Sequence, residues 1–74
     1  MATDPAPSGK QIVKALRKLG FTVVRIHGSH HMMKREGSPL IPVPVHGNEP
    51  IAEGTLRNII RKAGLRPQEF YRVV

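Results

Sequence analysis

The chain has 74 residues and no cysteine, which leaves room for a single domain with a small core and excludes disulfides, thiolate metal sites and a cysteine nucleophile. With 12 Lys and Arg against 5 Asp and Glu, its formal charge of +7 points to a polyanionic partner, nucleic acid or an acidic protein. No apolar run approaches the roughly 20 residues of a membrane span, and MATDPAPSGK lacks the apolar stretch of a signal peptide, so no membrane and a soluble, cytoplasmic protein are expected.

Residues 1–7 are rich in proline and small side chains and read as a flexible leader, with one domain over 8–74. Ser8 and Gln11 have the spacing of a capping box, opening a helix in which Ile12, Leu16 and Leu19 share a face and which Gly20 ends. FTVVRI, HHMMKR and PLIPVPV then read as three strands joined by the turn-like HGS and EGS. Short links imply an antiparallel meander, and the prolines place the third strand at an edge. Leu56, Ile59, Ile60 and Ala63 predict a second amphipathic helix ending at Gly64, with Arg57 and Arg61 on its solvent side. Pro67 opens a last turn whose Phe70 packs back on the core. The expected fold is a two-layer α+β domain of order α-β-β-β-α. Its three-stranded antiparallel sheet carries both helices on one face and leaves the other open for function. Double-stranded-RNA-binding domains share that order.

The run IHGSHHMMKR has the look of a histidine-tag remnant, yet patterned sequence flanks it on both sides and makes it part of the domain. Successive side chains of a strand point to opposite faces, so His30 and His31 cannot serve one site together. His27 precedes the Gly28-Ser29 turn and His46 ends the third strand, and either can converge on His30 across the sheet. Three uses compete. Surface strands often carry histidine with no function. A metal site would draw on His27, His30, His31 and His46, but the Cys/His set and the helical H-x-x-x-H spacing are both missing, so no metal and no cofactor are expected. Proton transfer needs less, because an imidazole with a reference pKa of about 6.5 accepts a proton near neutrality. On a basic surface it would meet RNA, whose 2′-hydroxyl is an internal nucleophile beside every phosphodiester. The basic residues alone fit a solvated helix face, but an excess this one-sided favours contact with a polyanion.

GFTVVRIHGSHHMM, followed by VPVH and then EGTLRNIIRKAGL, resembles the HicA family of bacterial toxins over residues 8–70. The resemblance implies a small double-stranded-RNA-binding-like domain that cleaves messenger RNA and is silenced by a HicB antitoxin. The family's catalytic histidine is the first after the Gly-Ser pair, here His30. Gly28 and Ser29 would form the turn that presents it, and His31 would pack. The reaction implied is metal-independent endoribonuclease cleavage, with His30 as general base on the 2′-hydroxyl. On that reading Lys34, Arg57 and Arg61 are candidates to hold single-stranded or structured RNA, backbone N–H groups near Gly54 and Thr55 are candidates for a phosphate, and the leaving-group acid is left open between His46, as a candidate auxiliary acid, and water. The chain departs from the family in two ways. Met32 and Met33 stand where relatives often carry an aromatic residue, which leaves charge and backbone contacts to dominate over stacking, and Arg66 stands where a capping Ser or Thr is expected. The rival readings are a non-catalytic RNA-binding module of the same fold and a basic protein-interaction module. A His30 substitution separates the first reading from both rivals, and RNA affinity separates the rivals from each other.

Overall fold

In the computed structural model, which describes residues 6–74, the element order is α1 (Gly9–Lys18), β1 (Thr22–His27), β2 (His30–Lys34), β3 (Ile41–Pro44), α2 (Glu53–Lys62) and α3 (Pro67–Val73). The start of α1 is fixed as its sequence suggests. Ser8 Oγ accepts from the Gln11 N–H at 3.3 Å and Gln11 Oε1 accepts from the Ser8 N–H at 2.9 Å, satisfying two donors that the helix leaves free. At the other end the chain turns through Gly20 at φ +94°, the left-handed region that glycine enters without a Cβ clash.

The strands form one antiparallel sheet in the order β1-β2-β3. β1 and β2 are joined by a two-residue turn, with His27 opposite His30, Ile26 opposite His31 and Arg25 opposite Met32. A bulge at Val24 interrupts this register before Val23 meets Met33. β3 pairs with β2 through His30–Pro44, His31–Val43, Met32–Pro42 and Met33–Ile41. With Ile41 and Val43 taking the hydrogen-bonded positions, the missing N–H groups of Pro42 and Pro44 fall on the outer side, which blunts that edge against further pairing.

Residues paired across strands share a face, so Met33, Ile41 and Val43 lie together, and all three are fully buried. Onto them pack Ile12, Ala15 and Leu16 of α1 and Leu56, Ile59 and Ile60 of α2, joined by Phe21 and Phe70 in one cluster. The two helices therefore cover one face, as the α+β order implies. Beyond that order the chain adds α3, a full helix where a single turn was expected, held against α1 by the buried Phe70 ring and a 3.4 Å hydrogen bond from Lys18 Nζ to the Val73 carbonyl. Arg66 caps α3 only halfway. Its guanidinium cannot accept a hydrogen bond, but the Glu69 carboxylate accepts from the Arg66 N–H at 2.8 Å.

Of the segment read as a leader, residues 1–5 lie outside the described residues. Pro7 within it is buried and its carbonyl accepts from the Ile51 N–H at 2.9 Å, beside a Ser8–Pro50 bridge. Among the described residues no helix is long and apolar enough to cross a membrane.

Candidate nucleic-acid interface

The uncovered face of the sheet is assembled by the same pairings that build the core. Arg25 and His27 of β1, His30, Met32 and Lys34 of β2, and Pro42 and Pro44 of β3 all belong to it by register. Gly28, at φ +63°, takes the first central position of the hairpin turn and Ser29 the second with negative φ, the pattern of a type II′ connection. The turn is anchored from the other side of the sheet, because the Val45 N–H donates to the Ser29 carbonyl at 2.7 Å. Val45 is itself set by α1: a Cβ on Gly9 would overlap the Pro44 carbonyl oxygen and come within 2.9 Å of Val45 Cα. A close helix–strand approach, possible only at glycine, thus fixes the strand end that holds the turn presenting His30.

His30 is exposed and borders a groove of about 230 Å³ between the β3 edge and α2. Pro42 and Pro44 form its apolar wall, and Thr55, Asn58 and Lys62 supply its polar side. Those three recur at spacings of three and four residues, so they line one side of α2. The volume lies below the roughly 300–1,000 Å³ of sites that enclose a whole small molecule.

The other residues read from the sequence are dispersed. Arg57 stands about 200° around α2 from Thr55 at 100° per residue, on the side away from His30. There it forms a 3.1 Å ion pair with Glu53 and borders a separate cleft with Pro67 and Tyr71. Arg61 lies about 100° around the helix from Lys62 and does not line the groove. Lys34 shares the open face with His30 but sits four residues along the strand, about 13 Å away at 3.3 Å per residue, and its Nζ donates to the Ser38 carbonyl. Gly54 and Thr55 occupy the first turn of α2, whose N-cap Ala52 contributes no side-chain acceptor. His46 is not on a strand: β3 ends at Pro44, and the His46 carbonyl accepts from the Glu49 N–H at 3.0 Å in the turn that follows. His31 lies on the helix side between Ile26 and Val43, with its Nδ1 shut off from solvent and without a partner among the described residues. Also among the described residues, no three His, Asp or Glu side chains gather as a metal ion would require.

Sequence reading missed Asn58 and Lys62. Both are polar positions in GTLRNIIRKAGL, indistinguishable by periodicity from Arg57 and Arg61, and only the docking of α2 on β3 separates the two pairs. It also missed Arg25, whose place on the open face depends on the bulge.

No individual curated protein matches the chain. The family model described as the HicA toxin of bacterial toxin–antitoxin systems matches residues 9–65, from the first residue of α1 to just beyond α2, and so spans every element that builds the groove. A three-stranded sheet covered on one face, a His-bearing hairpin on the other and this match over most of the chain lead to one assignment: the protein belongs to the HicA family, the toxins of bacterial toxin–antitoxin systems.

Proposed function

We propose that the chain is a metal-independent endoribonuclease that cleaves messenger RNA, with His30 as the general base. The observation that carries this reading is the exposed His30 imidazole at the mouth of a groove whose opposite side bears Lys62, Asn58 and Thr55. A base, a cation and two neutral hydrogen-bonding groups are what attack by a 2′-hydroxyl needs on the entering side. His30 takes the 2′-hydroxyl proton, the 2′-oxygen bonds to phosphorus, and the P–O5′ bond breaks. The products are a 2′,3′-cyclic phosphate and a 5′-hydroxyl. One imidazole suffices for the proton abstraction, and no metal is needed.

The +7 charge draws the RNA backbone to the domain without reading its sequence. The same charge favours fast association with an acidic partner, and a HicB-type antitoxin seated over the His30 groove would inhibit by occlusion. Induction of wild type and His30→Ala in bacteria, with growth and RNA integrity followed together, tests the reading. The expected outcome is arrest with RNA breakdown for wild type, also when the purified protein is assayed in EDTA, and neither effect for His30→Ala at equal folded level. A folded His30→Ala protein that remains fully toxic would remove His30 from the mechanism.

A further inference from the structure

Cleavage by a 2′-hydroxyl moves two protons, and His30 accounts for one. The departing 5′-oxygen must gain the other, and an alkoxide leaves slowly unless a positioned acid supplies it. Among the described residues, the histidine paired with His30 is His27, its register partner across the hairpin. Side chains directly opposite on an antiparallel pair have Cβ atoms about 4.5–5.5 Å apart and project to the same face. Both imidazoles are exposed on the open face. Their spacing is held by a two-residue turn with Gly28 at φ +63° and Ser29 bonded to Val45. His46 has no such placement, because it lies past the end of β3.

We propose that His27 is the acid that protonates the departing 5′-oxygen, so that the hairpin carries both halves of the proton transfer. The inference rests on the ribonuclease reading above. In an in-line displacement the attacking and leaving oxygens lie on opposite sides of one phosphorus. A phosphate over the hairpin then presents the 2′-oxygen to His30 and the 5′-oxygen to His27. His30 gains a proton as the 2′-oxygen–phosphorus bond forms, and His27 loses one as the phosphorus–5′-oxygen bond breaks. Exchange with solvent restores both, and no other reactant is consumed. Imidazole suits both parts, as it gives and takes protons near neutral pH. The arrangement also sets strand polarity. The nucleotide bearing the 2′-hydroxyl occupies the groove beside Pro44 and Lys62, and the departing nucleotide runs over His27 toward Arg25, which shares that face two residues back along β1.

The test compares an oligoribonucleotide with its natural linkage against the same sequence carrying sulfur in place of the bridging 5′-oxygen at the cleaved position. A thiolate, with a pKa of about 8.5 in the cysteine reference, departs without an acid. His27→Ala is expected to slow cleavage of the natural linkage by about 10²-fold or more, the usual contribution of a positioned acid, and to cleave the sulfur linkage at close to the wild-type rate. His30→Ala should slow both. His27→Gln, which keeps a polar side chain of similar reach, should give the same split if the alanine variant does not fold. Equal losses of His27→Ala on both substrates, or full activity on natural RNA, would overturn the assignment while leaving the ribonuclease reading intact. Wild-type protein that cleaves neither substrate would overturn both.

Discussion

Two neighbours on β2 show how differently the two faces of this sheet use their side chains. His31 and Met33 face the helices. Met33 is fully buried, and His31 is wedged between Ile26 and Val43 with a ring nitrogen sealed from water. His30 and Lys34 face outward, exposed, and lie on a surface that also carries Arg25 and His27. One face is ordered by dispersion and exclusion of water, the other by the backbone register that the first face enforces. The chemistry is therefore borrowed from the packing. His30 contributes little to holding the fold, but its place on the groove depends on residues that do.

The sharpest separation of the faces comes from a pair of substitutions on β2. Met33→Ala should cost about 2–5 kcal/mol of stability, the range for truncating a buried methionine, and so lower the urea midpoint strongly. His30→Ala should change the stability by no more than about 0.5 kcal/mol, leaving the midpoint nearly in place, while removing RNA cleavage. A His30→Ala chain as unstable as Met33→Ala would break the division. Next in size is Gly9→Ala, where the new Cβ meets the Pro44 carbonyl. Overpacking of that kind costs about 1–3 kcal/mol, and because Val45 holds the Ser29 turn, cleavage should fall further than the stability loss alone accounts for. Unchanged activity in the folded fraction would show that the turn does not need this anchor. The smallest effect distinguishes the two sides of α2. With His30→Ala as background, Lys62→Met should reduce the slope of log affinity against log salt for single-stranded RNA by about 0.7, one phosphate contact, while Arg57→Gln leaves it near the parent value. The reverse ranking would move the RNA path from the groove to the Glu53–Arg57 side.

Much of this architecture is local and was readable in the sequence for that reason. A capping box joins residues three apart, Gly20 ends a helix where a left-handed residue is required, and prolines in β3 declare an edge strand, because each feature is decided within one turn or one strand. The presentation of His30 by Gly28 and Ser29 was legible on the same grounds. The composition of the groove was not. Hydrophobic periodicity divides α2 into an apolar and a polar side, but Arg57, Asn58, Arg61 and Lys62 are all polar. The angle at which α2 lies against β3 decides which of them meet His30, and that angle is set by contacts between Leu56, Ile59 and Ile60 and residues distant in sequence. His46 was displaced for a related reason. Pairing with β2 stops at Pro44, opposite His30, the first residue after the hairpin turn, so the strand cannot extend to residue 46.

The bulge at Val24 acts as a parity switch. In an unbroken strand, residues 23, 25 and 27 would all point the same way, and burying Val23 would turn Arg25 and His27 toward the helices. One extra residue reverses the alternation from there onward, so Val23 packs inward while Arg25 and His27 join His30 outside. The content of the open face is thus encoded by an odd or even count as much as by side-chain identity. Drawing Val24 into the ladder changes no side chain of the groove, yet it forces the hairpin either to expose Val23 or to withdraw His27, whereas deleting residue 24 heals the bulge and leaves both where they are. Whether Val24 stands inside or outside the ladder is for that reason more consequential than most substitutions in β1, and the hairpin can gain or lose a histidine at its surface with no mutation of the histidine itself.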